Sequence, residues 1–450
     1  MNAVVCLVFD TSDGQRQETF MIANEPSVLA NSLWAATAQP VPDCAPLDSA
    51  AEAEVVIIGA GVTGLSAALH LKEHGIDTMV LEAETPGWGA SGRNGGQFNP
   101  GLKYDPDALI ARFGQAMGER MLHLSGSAPD LAMALIARHE ISCDALQSGW
   151  IQPAHDAASM RALERRAEQW ARHGISLQLL DREAVTQMIG TKIYIGGLLD
   201  PRGANAHPLN YTLGLARAAR AAGVRIHAKT RVTSLKTNGD FTLVQTAAGP
   251  VRARRVLICT NAETDGLCPP LERTLVPVRS VQVATAPLPD DIRRTILPGL
   301  QAASDSRRVM VYYKMDGAGR LLMGGRGDYS NATTAKLQEN LRQVSRKMFP
   351  QLGNVPFEYA WGGYVAMTAS HLPHLSRLGE GVMSATGFNG RGLALGTAMG
   401  KVLADWAAGV PEAALDFPVT PARPLPFHFL RKPAVRSAVV LFRLRDTLGL

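Results

Sequence analysis

Apolar positions along the chain first fall into order at Glu54. EVVIIG is a short run of β-branched residues, as a buried strand requires, and VTGLSAALHLKEHG then spaces its apolar residues helically. DTMVLEAE supplies a second strand, so residues 54–84 read as one β–α–β unit. Upstream, residues 1–50 hold no such period and end in the proline-rich VPDCAPLD, which reads as an N-terminal arm. Downstream, 105–139 and Ala157–His173 read as helices, unlike the short crossovers of a nucleotide fold. From His207 the pattern turns back: PLNYTLGLARAARAAG is a helix, VRIHAK a strand, VTSLKT and FTLVQTA flank an Asn-Gly-Asp turn, and ARRVLICT ends apolar. RSVQVATAPL, RVMVYYKM and LLMGG alternate as an antiparallel sheet does. ATTAKLQENLRQVSRKMF is a helix, and GVMSAT leads through GFNGRG into a last one, LALGTAMGKVLADWAAG.

These elements predict an α/β protein. A Rossmann-type domain of discontinuous segments (51–104, 200–270 and 355–412) holds a dinucleotide, and a second mixed sheet-and-helix domain (105–199 and 271–354) faces the substrate. Residues 413–450 form a C-terminal tail. A length of 450 residues fits two large domains, and 46% hydrophobic with 19% charged residues fits a globular core. The net charge of +5 is spread along the chain and no recognition motif accompanies it, so nucleic acid is not an expected partner. Five cysteines (Cys6, Cys44, Cys143, Cys259, Cys268) form no metal-ligand spacing, so no metal is expected, and they suit a reducing cytoplasm. No apolar run reaches the ~18 residues of a membrane span.

The chemistry begins at GAGVTG, between the first strand and its helix. Gly59 permits the tight turn, Gly61 lets a pyrophosphate approach the backbone, and Gly64 allows close helix–strand packing. The helix start then offers N–H groups to phosphate. Glu82 ends the second strand, where a carboxylate receives ribose hydroxyls. FAD and NAD share this fingerprint. The second polar, glycine-rich turn, GWGASGRNGGQFNPGLK with Ser91, Gly92, Arg93, Asn94, Gly95, Gly96 and Gln97, favours FAD, whose ribityl chain and ring extend beyond the pyrophosphate.

GAGVTGLSAALHL followed by LEAETPGWGASGRNGGQFNPGLK closely resembles the D-amino-acid-oxidase-like flavoproteins, and within them the γ-glutamylputrescine oxidoreductase branch. RGANAHPLNYTLGLARAARAAGVRI, EYAWGGYVAMTASHLPHLSRL and ATGFNGRGLALGTAMGKVLADW continue the likeness over residues 25 to 410. The resemblance implies FAD on Gly59, Gly61, Gly64, Glu82 and Ser91–Gln97, with the backbone at Val232 contributing to the adenine pocket. It also implies that Gly387, Phe388, Asn389, Gly390, Arg391 and Gly392 close over the flavin. Residues 91–100 hold no histidine and no cysteine follows Cys268, so noncovalent FAD is expected.

The implied reaction oxidises an amine or amino acid, in one form a γ-glutamylated amine, to an imine that water hydrolyses, with dioxygen accepting the electrons to give hydrogen peroxide. The flavin performs this chemistry, so no catalytic acid or base is assigned. Aromatic Tyr312, Tyr313, Tyr359 and Trp361, with His371 and His374 behind, are candidates for the substrate cavity, although such residues in a sheet equally serve packing. Arg279 and Arg326 are candidates for a substrate carboxylate, and Lys314 for oxygen activation. Three other readings stay open: a dehydrogenase passing electrons to a quinone or protein, a hydroxy-acid oxidoreductase giving a ketoacid without nitrogen release, and a noncatalytic flavoprotein serving as an assembly or sensor subunit. The tail, PLPFHFLRKPAVRSAVVLFRLRDTLGL, mixes apolar residues with arginines; a helix packed on the protein's own surface or at a subunit contact is expected, with peripheral membrane contact as the alternative.

Overall fold

A computed structural model describes residues 29, 31–307, 310–326, 331–431, 433 and 437, excluding the side chains of 326 and 331–334. Its first sheet is built around Ala51–Ile58, whose pattern buries every side chain from Val55 onward. Thr78–Leu81 pairs parallel on one side and Gly249–Ile258 on the other. Arg225–His227 extends the sheet beyond Thr78–Leu81, while Val382–Thr386, His374–Gly379 and Val419–Pro421 extend it in that order beyond Gly249–Ile258. The antiparallel hairpin Val232–Asn238/Phe241–Thr246 joins at Gly249–Ile258.

Two helices cover one face of this sheet. Val62–Glu73 is buried from Val62 through Leu71 and packs on the last long helix, Gly392–Ala407. Their backbones come close because a Cβ on Gly400 would stand 2.6 Å from the Thr63 carbonyl. Leu65, Leu69 and Leu71 are all within this core. Each fully buried leucine contributes roughly 1.5–3 kcal/mol. A helix apolar on all sides belongs in such an interior.

The second sheet has eight strands in the order Phe357–Met367, Val276–Thr285, Leu321–Arg326, Val311–Met315, Ala302–Ser304, Trp150–Ala154, Gly196–Asp200 and Gln178–Leu180. Pairing is antiparallel except between Ala302–Ser304 and Trp150–Ala154. Helix Asn331–Met348 packs on the first three of these strands, over a core that includes Val281, Val283, Met323 and Phe349.

Two segment assignments differ from the sequence reading. Phe357–Met367, grouped there with the cofactor segments, pairs along its length with Val276–Thr285, because FEYAWGGYVAM is a long run of strand formers and small residues. The helices Pro106–Phe113, Gln115–Gly126 and Ala128–Arg138, grouped with the substrate segments, bury Leu109, Met121, Leu122, Ala132 and Leu135 in the same core as Val62–Glu73. No helix among the described residues is long and apolar enough to cross a membrane.

Candidate functional site

The three fingerprint glycines do different work. Gly59 sits at φ +105°, where L side chains are strained, and a Cβ there would meet the Cys259 carbonyl oxygen at 3.1 Å. A Cβ on Gly64 would stand 2.1 Å from the Gly59 carbonyl oxygen, so this position serves helix–strand packing and does not line the cavity. At Gly61 the nearest obstacle is the Ser91 hydroxyl, 2.8 Å from a built Cβ. That hydroxyl also accepts the first N–H of the helix, from Val62, at 3.0 Å. The second glycine-rich loop is thereby tied to the first at the start of the helix.

Glu82 lies beneath them, half-buried in the cavity wall. Its two oxygens accept one backbone N–H each, from Ala60 at 2.7 Å and Glu84 at 2.8 Å. One acceptor direction on each oxygen is left for a ribose hydroxyl. Burial pushes its pKa upward, and the two N–H bonds oppose that shift by favouring the anion. Arg231, Val232 and Thr233 line the same end of the cavity.

The loop after Glu82 is held from several directions. The Arg93 carbonyl accepts Gln282 Nε2–H at 2.6 Å and Trp361 Nε1–H at 3.0 Å. The Asn94 carbonyl accepts Trp34 Nε1–H at 2.8 Å, and Asn94 Oδ1 accepts the Gly96 N–H at 2.8 Å. Gln97 donates to the carbonyls of Ala303 and Tyr313 and accepts from Ser304. Gly92 and Gly96 are packing positions, each within 2.2 Å of a carbonyl oxygen if given a Cβ.

Across the cavity stands Phe388–Gly392. Asn389, left-handed at φ +54°, is locked by its Oδ1 accepting the Thr368 N–H at 2.9 Å. Arg391 donates to the carbonyls of Pro100 and Gly101 at 2.7 and 2.9 Å and lies over the Trp150 ring, and burial pushes its pKa down to about 9. Gly387 precedes this wall without lining it, because Thr368 occupies the space beside it.

These parts enclose one continuous cavity of about 1180 Å³, above the ~300–1,000 Å³ usual for a small-molecule pocket. Among the predicted residues Gly59, Gly61, Glu82, Ser91, Arg93, Asn94, Gly95, Gln97, Val232, Phe388, Asn389, Gly390, Arg391, Gly392, Arg279 and Tyr312 line it. Asn99 Oδ1, buried in the wall, has no hydrogen-bond partner among the described residues. The glycine cradle, the half-used carboxylate of Glu82 and this open acceptor fit an extended ligand of phosphates, ribose and a hydrogen-bonding ring, as FAD is.

Beyond the loop, Arg279 is 8% exposed and lies over the Tyr364 ring, 5.1 Å from its centroid. Tyr312 shares a 2.8 Å hydrogen bond with Ser280, and burial pushes its phenol up to about 12, so it stays protonated. Tyr359 and Trp361 do not line the cavity. They face a cluster with Trp34, Leu209 and Leu322. Tyr313 is turned into the opposite core, against Tyr194 and Phe349. His374 bonds Ser370, and neither it nor His371 reaches the cavity wall. Lys314 lies behind the loop, donating to the Ala206 carbonyl at 2.6 Å. Arg326 ends its strand, and its side chain lies outside the described residues. Tyr364 and Glu263 line the cavity and were not foreseen. The register Arg279↔Tyr364 is the signal that selects Tyr364.

The chain is 31% identical over 93% of its length, and 99% of the relative's, to gamma-glutamylputrescine oxidoreductase of Escherichia coli (strain K12). It is 33% identical to the probable oxidoreductase OrdL of Haemophilus influenzae over 82% of this chain and 85% of that one. Its fold matches the crystal structure of glycine oxidase from Geobacillus kaustophilus with a TM-score of 0.68, at 22% identity, over 82% of this chain and 99% of the other. Residues 54–406 match the DAO family of FAD-dependent oxidoreductases, and to that family the chain belongs.

Proposed function

We propose that this FAD-dependent oxidoreductase oxidises the carbon beside the nitrogen of an amine that also carries a carboxylate, a γ-glutamylated amine being the form we favour. The observation that carries this reading is Arg279, a guanidinium buried in the cavity wall on the far side of the flavin loop and laid over Tyr364. A carboxylate received there makes charge-assisted hydrogen bonds with little competition from water. The relative in E. coli supports the γ-glutamyl form, since its name describes an amine linked to a group bearing an α-carboxylate.

Bound FAD supplies the two-electron acceptor. The chain supplies position. Arg279 and Tyr364 hold the anionic end, and Tyr312, a neutral phenol fixed by Ser280, walls the reacting end. The amine loses two electrons and two protons to become an imine, and water cleaves the imine to a carbonyl compound and ammonia or an amine. Dioxygen taking up those electrons and protons gives hydrogen peroxide, in a cytoplasmic setting.

Anaerobic mixing with γ-glutamyl diamines, free diamines, D- and L-amino acids and sarcosine, followed at the visible flavin bands, tests the proposal. The γ-glutamyl amines bleach the flavin fastest, and air restores its colour within the turnover time. Bleaching by none of them removes the amine reading. Recovery that needs a quinone while air is slow moves the protein to the dehydrogenases.

A further inference from the structure

Residues 32–34 precede both the fingerprint and the family match, yet they are built into the interior. Ser32 caps the short helix Leu33–Ala36 by accepting the Ala35 N–H at 3.1 Å. Thr37 hydrogen-bonds His207 Nε2 at 3.0 Å, and the Gln39 N–H donates to Asn210 at 2.7 Å. Leu33 and Trp34 fill a space between Leu209 and Leu213 of helix Pro208–Ala221 and Ala284, Leu322 and Trp361 of the second sheet. The arm is a wedge between the two sheet systems, directly behind the flavin loop.

Trp34 is the tip of that wedge. Its ring meets Trp361 edge-on at 5.9 Å and His207 at 4.7 Å, and Lys314 Nζ lies 5.3 Å from its centroid. Its indole N–H reaches the Asn94 carbonyl. Peptide planarity gives this bond a consequence on the other side. In a trans peptide the carbonyl of Asn94 and the N–H of Gly95 point in opposite directions from one plane. Asn94 and Gly95 line the cavity and Trp34 does not. Drawing the carbonyl back toward Trp34 therefore turns the Gly95 N–H forward, toward the cofactor.

The geometry points to Trp34 as a positioning residue for FAD, fixing through its indole N–H the orientation in which the Asn94–Gly95 peptide presents its own N–H to the cavity. The inference rests on FAD binding in this cavity and is independent of which amine is oxidised. A residue serving only to fill the core would need the ring and not the N–H.

Trp34→Phe separates the two roles, since it keeps an aromatic ring against Trp361 and His207 and removes the donor. The FAD dissociation constant, measured by titrating apoprotein, is expected to rise by about tenfold, the upper range for one hydrogen bond. The visible circular dichroism of the bound flavin is expected to change, while the apoprotein melts within about 2 °C of wild type. Thr37→Val removes a bond on the other side of the arm. It lowers the apoprotein's melting temperature and leaves FAD affinity and flavin dichroism unaltered. Wild-type affinity and dichroism in Trp34→Phe would overturn the inference. So would equal losses of FAD affinity in the two variants. Should Trp34→Phe fail to fold, β-(3-benzothienyl)alanine at position 34, which keeps the indole's shape without its N–H, gives the same readouts.

Discussion

The two ends of the cavity are made in different ways. The end expected to take phosphates and ribose comes mainly from one stretch, residues 59–97, where backbone conformation and close approach decide what fits. The far end is assembled from Val276–Thr285, Val311–Met315 and Phe357–Met367, paired strands that bring the side chains of Arg279, Tyr312 and Tyr364 to one cavity. A site made of backbone tolerates no Cβ where one would intrude. A site made of side chains depends on register, because a shift of one residue exchanges the two faces.

The largest expected effects separate two glycines of the first end. Gly64→Val pushes a side chain between backbones, 2.1 Å from the Gly59 carbonyl oxygen. It should cost more than about 4 kcal/mol, the range reached when a core is overpacked against backbone, and leave little folded protein in denaturant or thermal melts. At Gly61 the obstacle is only the Ser91 side chain, so Gly61→Val should fold. Its FAD affinity should fall by roughly 100-fold or more as the side chain enters the pyrophosphate path. Folded Gly61→Val with wild-type flavin-to-protein absorbance would break the distinction.

Next in size is the far end. Arg279→Met should lower kcat/KM for carboxylate-bearing amines by about 100-fold, on the order of 2.7 kcal/mol, with FAD content unchanged. Tyr364→Ala should follow it more weakly, at about tenfold, through loss of the ring under the guanidinium. Tyr359→Ala, on the opposite face, should leave kcat/KM unchanged and reduce thermal stability. A fall in activity with Tyr359→Ala that equals the fall with Tyr364→Ala would undo the assignment of faces.

That pair also marks where the sequence stops being legible. GAGVTG and Glu82 could be read because their chemistry demands glycine and a carboxylate at fixed spacings. The alternation Tyr359, Trp361 was read as a cavity wall, but it opposes Ala284 and Gln282, while Tyr364 opposes Arg279. Parity alone does not choose between them, since Gln282 opposite Trp361 lines the cavity as Gly363 and Tyr364 do; Trp361 is kept from it by spending its Nε1–H on the Arg93 carbonyl and packing against Trp34. Tyr312 and Tyr313 repeat the lesson: Tyr312 has room because its partner is Gly324, whose Cβ would overlap the ring. Trp34 was hidden for another reason, since an arm without periodicity gives no sign of where it docks.

A smaller effect comes from Glu263, where the two ends meet. Its carboxyl lies beside Gly89 and lines the cavity. Burial pushes its pKa from 4.5 up to about 8, Asp265 and Glu82 adding to the rise and Arg93 opposing it. Between those values the folded chain keeps a proton that the unfolded chain has lost, so this group makes stability fall as pH rises through the window. Glu263→Gln should flatten that dependence and raise the apoprotein's melting temperature at pH 8 by roughly 2–4 °C, with no change near pH 4.5. Parallel wild-type and variant curves from pH 5 to 8 would show that the group is solvated.

The smallest effect should come from the tail, whose described residues line neither end of the cavity. Leu425 N–H donates to the Arg273 carbonyl at 2.9 Å, and His428 Nε2 meets the Leu275 carbonyl at 2.9 Å, just before Val276–Thr285 begins. Phe427 and Phe429 then stand 72% and 73% exposed, their rings edge-on at 6.3 Å. Residues 432, 434–436 and 438–450 lie outside the described residues. Two exposed phenylalanines so close together favour further burial, against this chain, another copy or a lipid surface. Deleting residues 426–450 should therefore leave the flavin spectrum and kcat/KM unchanged while altering solubility or the mass measured by light scattering. Flotation of the full chain with anionic vesicles, lost on deletion, would assign the segment to a membrane surface. A fall in kcat/KM after deletion would mean that the contacts at Arg273 and Leu275 steady the strand carrying Arg279, and the independence of tail and cavity would fail.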